Sequence, residues 1–246
     1  MSAPQVQKRN YQKELEKILA QEQKSVHLPE ASDTAADCPG VPTLLLHSCC
    51  APCSSYVLRY LSDYFRITVL YYNPNIYPEE EYFHRVEEQK RLISQMPFRY
   101  PVSLIEGRFA AQEFYDAVRG LEHIPEGGER CHACFRLRLA EAARAAREGG
   151  FDYFTTTLTI SPLKNAQKLN EIGEELSHQY GVRWLPSDFK KKNGYKTSIE
   201  LSAEYNLYRQ DYCGCVFSRQ ERLSRQSEAS PASVACTIRS DSLAKR

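Results

Sequence analysis

At 246 residues the chain is long enough to bury a full α/β domain with additions, and its 42% hydrophobic and 26% charged side chains are ordinary for a globular protein. Thirty-two basic against 31 acidic residues leave a formal charge of +1, which excludes a global field aimed at nucleic acid or membrane and leaves room only for local basic patches. No apolar run approaches a bilayer span and the N-terminus has no signal-peptide core, so a cytoplasmic protein with reduced thiols and no membrane partner is expected.

In chain order, Val6 to Gln23 reads as a charged helix with Tyr11, Leu15, Ile18 and Leu19 on one side, and Pro29 to Pro42 as a linker. Residues 1–41 are therefore an N-terminal helical extension. From residue 42 strands and helices alternate. Thr43–His47 is a short apolar strand, followed by a helix over Ser54–Tyr64. A second strand, Ile67–Tyr72, leads through Asn73-Pro-Asn-Ile-Tyr-Pro78 into a helix over Glu79–Gln95, with Pro78 placed to start it. Val102–Ile105 reads as a third strand and Ala110–Val118 as a short helix. An Ala-rich helix over Cys134–Arg147 is closed by Gly149 and Gly150. Phe151–Thr157, Lys164–Tyr180 and Val182–Leu185 continue as strand, helix and strand. Ser198–Asn206 is a short helix and Leu207–Phe217 a loop. The order predicts an α/β fold: a mostly parallel sheet with helices on both faces, plus the N-terminal helix. Residues 42–218 form the α/β domain, and 219–246, polar and rich in Ser and Arg, read as a disordered tail.

The nine cysteines are the unusual feature. Seven fall in three groups: Cys49, Cys50 and Cys53; Cys131 and Cys134; Cys213 and Cys215. Cys38 and Cys236 stand alone near the ends. Grouped cysteines in a cytosolic fold point to metal or redox chemistry rather than to a disulfide scaffold. The first group lies in a strand-to-helix turn, where free N–H groups and the helix dipole favour thiolate. In open parallel sheets the ligand crevice lies beyond the carboxyl ends of the strands. That turn and the loop Thr155–Lys164 are both expected there.

Cys131-His-Ala-Cys134 stands at a helix start, its thiols about one turn apart. Together with Cys49 and Cys50 it supplies four thiolates, the ligand count of a [4Fe–4S] cluster or of structural zinc. Directly adjacent thiols favour the cluster, with zinc as the competitor. Cys213-Gly-Cys215 is a different device. Two extended residues span about 7 Å, so the loop must turn at Gly214 to join its sulfurs, and the resulting ring would be strained and easily reduced. A further pair of metal ligands is the alternative. His47 and His132 sit beside cysteine groups, where a satisfied structural role is the commoner fate of a histidine. Cys53 either binds a second metal or packs. Asn73, Asn75 and Tyr77 border the same edge, and Lys190-Lys-Lys192 with Lys196 is either a phosphate-binding loop or a solvated charge run. No Gly-x-Gly-x-x-Gly, P-loop or Ser-Gly-Gly pyrophosphatase loop occurs, so nucleotide sites lack support, and a tRNA thiolase with them.

These residues resemble the QueH family of epoxyqueuosine reductases. The pieces that carry the resemblance are His47-Ser-Cys-Cys-Ala-Pro-Cys-Ser54, Tyr71-Tyr-Asn-Pro-Asn-Ile-Tyr-Pro78, Arg130-Cys-His-Ala-Cys-Phe-Arg136, Thr155-Thr-Thr-Leu-Thr-Ile-Ser-Pro162, Phe189-Lys-Lys-Lys-Asn-Gly-Tyr195 and Tyr212-Cys-Gly-Cys215. It spans about residues 42–218. The resemblance implies a Rossmann-like fold and the last step of queuosine synthesis: the epoxide of epoxyqueuosine, at the wobble position of tRNA, is reduced to an alkene with loss of water. It further implies a [4Fe–4S] cluster on Cys49, Cys50, Cys131 and Cys134, a redox-active disulfide between Cys213 and Cys215, and an additional mononuclear iron for which Cys53 is the candidate ligand. The partners implied are tRNA carrying epoxyqueuosine in its anticodon loop and an unidentified electron donor. Tyr72, Tyr77 and Tyr195 are the candidates for stacking on the splayed base. The rival reading is a zinc-stabilised tRNA-binding protein without redox chemistry.

Overall fold

A computed structural model describes residues 9–25 and 40–229. Cys38 and Cys236, and the expected start of the N-terminal helix at Val6, lie outside the described residues. Five strands form one parallel sheet in the order β3-β2-β1-β4-β5: β1 (Thr43–His47), β2 (Arg66–Tyr71), β3 (Val102–Glu106), β4 (Tyr153–Thr156) and β5 (Arg183–Trp184). The chain builds outward from β1 through β2 to β3, then returns to pair β4 on the other side of β1. That reversal is the Rossmann-like switch point, and it opens a crevice at the carboxyl ends of β1 and β4.

The apolar run of β1 is continuous because both of its faces are covered. Leu44 and Leu46 join a core with Leu15 and Leu19 of α1 (Tyr11–Ser25) and with Val57, Leu58 and Leu61 of α2 (Ala51–Leu61). Leu92 of α3 (Glu79–Gln95) joins the same core. Leu45 points the other way, onto Leu139, Ala142 and Ala143 of α5 (Glu129–Glu148) and Leu169, Ile172 and Leu176 of α6 (Ala166–Tyr180). The short α4 (Ala111–Ala117) packs beside α5, and α7 (Gly194–Glu204) lies against α2. β3, at the edge, is half exposed. No helix among the described residues is long and apolar enough to cross a membrane.

α7 begins at Gly194, four residues ahead of the expected Ser198, and three further departures bear on the site. α2 begins at Ala51 rather than Ser54, because Pro52 fits a first turn that needs no amide hydrogen there; Cys53 is thus inside the helix. α5 begins at Glu129, ahead of both its cysteines. The third departure is a correction. The tail expected to be disordered from residue 219 instead starts within α8 (Val216–Ala229). Composition misled here because the helix is held from outside: Arg130 Nη2 donates to Glu221 Oε1 at 2.7 Å, and the Arg130 guanidinium lies 4.7 Å from the centre of the Phe217 ring. Residues 230–246 lie outside the described region.

Candidate redox and metal site

Register places the last residue of β1, His47, opposite Thr156 of β4. The next residues on either side therefore meet. The Cys49 amide donates to Thr157 Oγ1 at 3.4 Å, and the Cys49 sulfur lies 3.7 Å from the same oxygen. Cys50 is extended, with φ −173°, and sits immediately before α2. That turn brings Cys49 and Cys50 sulfurs to 3.8 Å, and the sulfurs of Cys49, Cys50 and Cys53 all lie within 4.8 Å of one another. The backbone beneath them is braced. Ser48 and Ser54 hydroxyls lie 2.6 Å apart and both donate to Gln89 Oε1 at 2.8 Å, while Asn73 Nδ2 donates to the Ser48 carbonyl at 2.8 Å.

The other thiols occupy the adjoining space. Cys131, Cys134, Cys213 and Cys215 line a cavity of about 80 Å³. Cys49, Cys50, Cys53 and Cys213 line a second of about 340 Å³ that runs out past Tyr195 and Tyr212. Glu126, Leu163, Lys164 and Cys213 belong to both. Cys50 and Cys131 thus open on one mouth of the sheet, in neighbouring chambers with a common wall. The Gly127 amide donates to the Cys131 sulfur at 3.2 Å, a donor already in place for a thiolate. Cys213 and Cys215 are unbonded, their sulfurs 3.9 Å apart. Gly214 has φ +117°, and a Cβ there would stand 3.1 Å from Ile76 and 3.2 Å from Arg85. The loop turns where sequence required it to.

Charge is distributed unevenly over these sulfurs. Hydrogen bonds from Cys50 and then Cys53 hold the Cys49 thiol well below its ordinary range, against burial, with Lys164 and Arg138 adding to the effect. The helix dipole was the expected cause; the neighbouring thiols rank first. Cys50 is correspondingly pushed up to about 11, and burial, helped by Cys213 and Cys131 and opposed by Arg138, takes Cys134 to about 11. Cys213 is likewise held low by Cys215, against burial and with help from Lys164, while Cys215 is pushed up. In each close pair one thiol is pushed down and its neighbour pushed up.

Three cations surround this sulfur. Arg138 is buried, donating to the Cys134 carbonyl at 3.3 Å and to Asn73 Oδ1 at 3.4 Å. Burial opposes its charge, but Cys134, Cys213, Cys49 and Cys131 outweigh it. The same balance, burial against Cys49, Cys213 and Cys53, holds Lys164 above the usual lysine range. Among the described residues neither forms a salt bridge with a carboxylate, though the Lys164 charge acts on Glu126. Arg85, only 1% exposed, is paired through Nε with Glu81 at 2.7 Å but leaves Nη1 and Nη2 buried without a partner. An unmet buried donor costs about 1–3 kcal/mol, more when charged.

The remaining candidates divide cleanly. His47 is a satisfied core histidine: buried, 2.8 Å from Thr156 Oγ1 and 3.2 Å from the Tyr72 carbonyl, its pKa lowered by burial to about 3. The His132 ring is tilted against Phe135, 6.3 Å between ring centres, and its Nδ1 lies 3.3 Å from Glu129 Oε1. Asn73 is a brace, and Asn75 Oδ1 is buried without a partner. Tyr72 is a correction. It is 1% exposed, its hydroxyl bonded to Glu113 and Arg108 over its ring, so no base can stack on it. Tyr77 and Tyr195 are 44% and 37% exposed. In the basic loop Lys190, Lys192 and Lys196 pair with Asp188, Glu16 and Glu200. Lys191 is exposed and lines a groove of about 990 Å³ that also reaches Arg9 and Lys164.

Sequence reading missed the site's cations and Glu126. The signals were faint: Arg138 falls one helical turn after Cys134, and Lys164 ends the loop after β4.

The sequence model of the family described as Epoxyqueuosine reductase QueH matches residues 44–221. Relatives carrying that name include one from Staphylococcus epidermidis, 42% identical over 220 residues, 88% of this chain and 87% of the relative. One from Streptococcus pyogenes is 46% identical over 179 residues, 72% and 70% of the two chains. One from Thermotoga maritima is 34% identical over 191 residues, 76% of this chain and 96% of the relative. The chain belongs to the QueH family of epoxyqueuosine reductases and is an oxidoreductase.

Proposed function

We propose that this chain reduces the epoxide of epoxyqueuosine, at the wobble position of tRNA, to the alkene of queuosine, with release of water. The observation that carries the reading is the meeting of thiols from three separate segments around two chambers that share Cys213 and Lys164. A tRNA-binding scaffold has no use for that arrangement.

The donor set fits a sulfur-ligated iron centre. The Cys49 thiol is pushed down, and Arg138 and Lys164 keep their charge beside the sulfurs despite burial, as an anionic centre requires. Cys49, Cys50, Cys131 and Cys134 are the ligands assigned to a [4Fe–4S] cluster, and Cys53, within 4.8 Å of Cys49 and Cys50, the ligand of an additional iron. When bound, such a cluster supplies electrons singly. Cys213 and Cys215 supply a pair. Their oxidation to a disulfide releases two electrons and two protons, the same two electrons and two protons that convert the epoxide into alkene and water. Lys164 and Glu126, on the wall common to both chambers, lie where the departing oxygen would be held and protonated.

The nucleotide comes from a single-stranded loop, so its base can be splayed out and stacked. Tyr195, on the wall of the larger chamber, and the exposed Tyr77 take that role, while Lys191 and its neighbours face phosphate. A cytoplasmic setting keeps the seven free thiols reduced. The test is anaerobic reconstitution with iron and sulfide, then assay on tRNA bearing the epoxide. Iron-dependent formation of queuosine supports the reading; a colourless zinc protein that binds the tRNA without converting it overturns it.

A further inference from the structure

Cys215 holds two positions at once. It is half of the Cys213–Cys215 pair, its sulfur 3.9 Å from that of Cys213. It is also the residue immediately before α8, and it caps that helix. Its carbonyl accepts the first intrahelical bond, from the Arg219 amide at 3.1 Å, and its sulfur accepts from the Ser218 amide at 3.4 Å. The Ser218 amide is the last of the four that a first turn leaves without an intrahelical acceptor. Four residues back, the Gly214 carbonyl is already taken by the Tyr77 amide at 2.8 Å. A hydroxyl is the usual cap at such a place, and sulfur is a weak acceptor. The start of α8 is thus tied to a group whose chemistry can change.

α8 in turn holds the wall of the thiol chambers. Glu221, in its second turn, uses both carboxylate oxygens: Oε1 accepts from Arg130 Nη2 at 2.7 Å and Oε2 from the Glu126 amide at 3.2 Å. Phe217 packs on the Phe114 ring at 6.2 Å between centres. Phe114, Glu126 and Arg130 line the smaller chamber, and Glu126 the larger one as well. The first two turns of α8 are therefore a strut, hydrogen-bonded to Cys215 at one end and to the wall at the other. The two thiols are also unequal: Cys213 opens on both chambers, Cys215 on the smaller alone.

Resting on the redox pairing proposed above, we propose that Cys215 is a redox-sensitive helix cap: closing the Cys213–Cys215 disulfide loosens the first turn of α8 and, through Glu221, slackens the chamber wall at residues 122–131. Oxidation forms one Sγ–Sγ bond and releases two electrons and two protons, which in the proposed reaction go to the epoxide and its departing oxygen. The sulfurs must close from 3.9 Å to bonding distance, so the sulfur that faced the Ser218 amide is turned into the new bond. The wall is firm while the pair holds its electrons and slack once they are spent, when product has to leave. Glu221 touches no reacting atom; it is a positioning residue that transmits the state of the pair.

The experiment follows hydrogen–deuterium exchange of the full chain, anaerobically reconstituted with iron and sulfide, as the dithiol and after stoichiometric diamide, the 213–215 bond being verified by mass spectrometry. Peptides covering 216–223 and 122–131 report the helix and the wall. Both are expected to exchange roughly fivefold faster in the oxidised parent, the scale of one lost helix cap. Cys215→Ser cannot form the bond and keeps a cap, so it should exchange like the reduced parent with or without diamide. Cys215→Ala should match the oxidised parent under both conditions; if it does not fold, the parent and Cys215→Ser decide. An oxidised parent with the bond in place and unchanged exchange overturns the inference alone, as does loosening confined to 216–223. A Cys215→Ser that loosens on diamide treatment also overturns it. A parent that forms no 213–215 bond defeats the proposed redox pairing and this inference together.

Discussion

The Cys49–Cys53 turn and the Cys213–Cys215 loop present nearly the same local chemistry, sulfurs 3.8 Å and 3.9 Å apart with one thiol of each pair pushed down by its neighbour. They differ in mechanics. The first is set between a central strand and a helix start, and its backbone is tied down by Ser48, Ser54, Gln89 and Asn73. The second hangs on a glycine at φ +117°, anchored by the Tyr77 amide donating to the Gly214 carbonyl at 2.8 Å and by the Tyr212 hydroxyl on the Tyr77 carbonyl at 2.8 Å. Three rigid sulfurs can hold an ion at fixed geometry. Two sulfurs on a hinged loop can close into a bond and open again. In the proposed function holding and switching require opposite stiffness, and a braced strand-to-helix turn and a glycine loop are backbones suited to each.

The largest expected effect breaks the rigid half. Cys50→Ala removes a sulfur from the middle of the braced turn. Reconstituted iron and epoxide reduction are both expected to fall to background, measured by iron analysis and by conversion of tRNA. Cys53→Ala on the same turn is the internal control, because a ligand of an additional iron should lower iron per chain without removing the cluster's visible absorbance. Equal losses from the two variants would mean that the three sulfurs act as one ligand set.

The next effect strikes the hinged half. Cys213→Ser leaves the other thiols in place, so iron content is expected to match the parent. Turnover should drop on the order of 10²-fold, the scale of losing a group that acts directly in the reaction. A variant with parental turnover would remove the pair from the electron route. Two variants with opposite iron contents and similarly low activity are the signature that separates holding from switching.

Much of this was legible in the sequence, and the boundary is instructive. β1 and α3 could be read residue for residue, because a continuous apolar run between turns and a proline before three glutamates are local signals. The seven thiols were legible as groups through their spacing alone. What spacing does not carry is who stands opposite. Lys164, Arg138 and Glu126 come from separate segments, and only the return of the chain to β4 brings them to the mouth of β1. Tyr72 failed as a stacking residue for a related reason. One residue past the end of β2, it turns into the core beneath α5, and its hydroxyl is spent on Glu113. α8 was missed because its supports come from outside it, the Arg130–Glu221 pair and the packing of Phe217 against Arg130 and Phe114, and not from a stripe of its own.

The smallest expected effect tests whether the loop's shape, apart from its sulfurs, matters. Gly214→Ala keeps every thiol and adds one methyl group. That methyl meets two penalties at once: a φ of +117°, which L-residues avoid, and contacts of 3.1 Å to Ile76 and 3.2 Å to Arg85. Strain of this kind costs about 1–3 kcal/mol, and each kcal/mol lowers Tm by roughly 2–4 °C in a domain of this size. The contact with Ile76 belongs to the packed loop of residues 73–78, so the cheapest relief is for residues 213–215 to move away from it and from Arg85. The Cys49–Cys53 turn does not share that backbone. Iron content should therefore stay at the parental value while the Cys213–Cys215 pair becomes slower to form its disulfide, as read by thiol titration after mild oxidation. Loss of iron in Gly214→Ala would instead mean that the two regions are one mechanical unit, and the division between a rigid holder and a hinged switch would not stand.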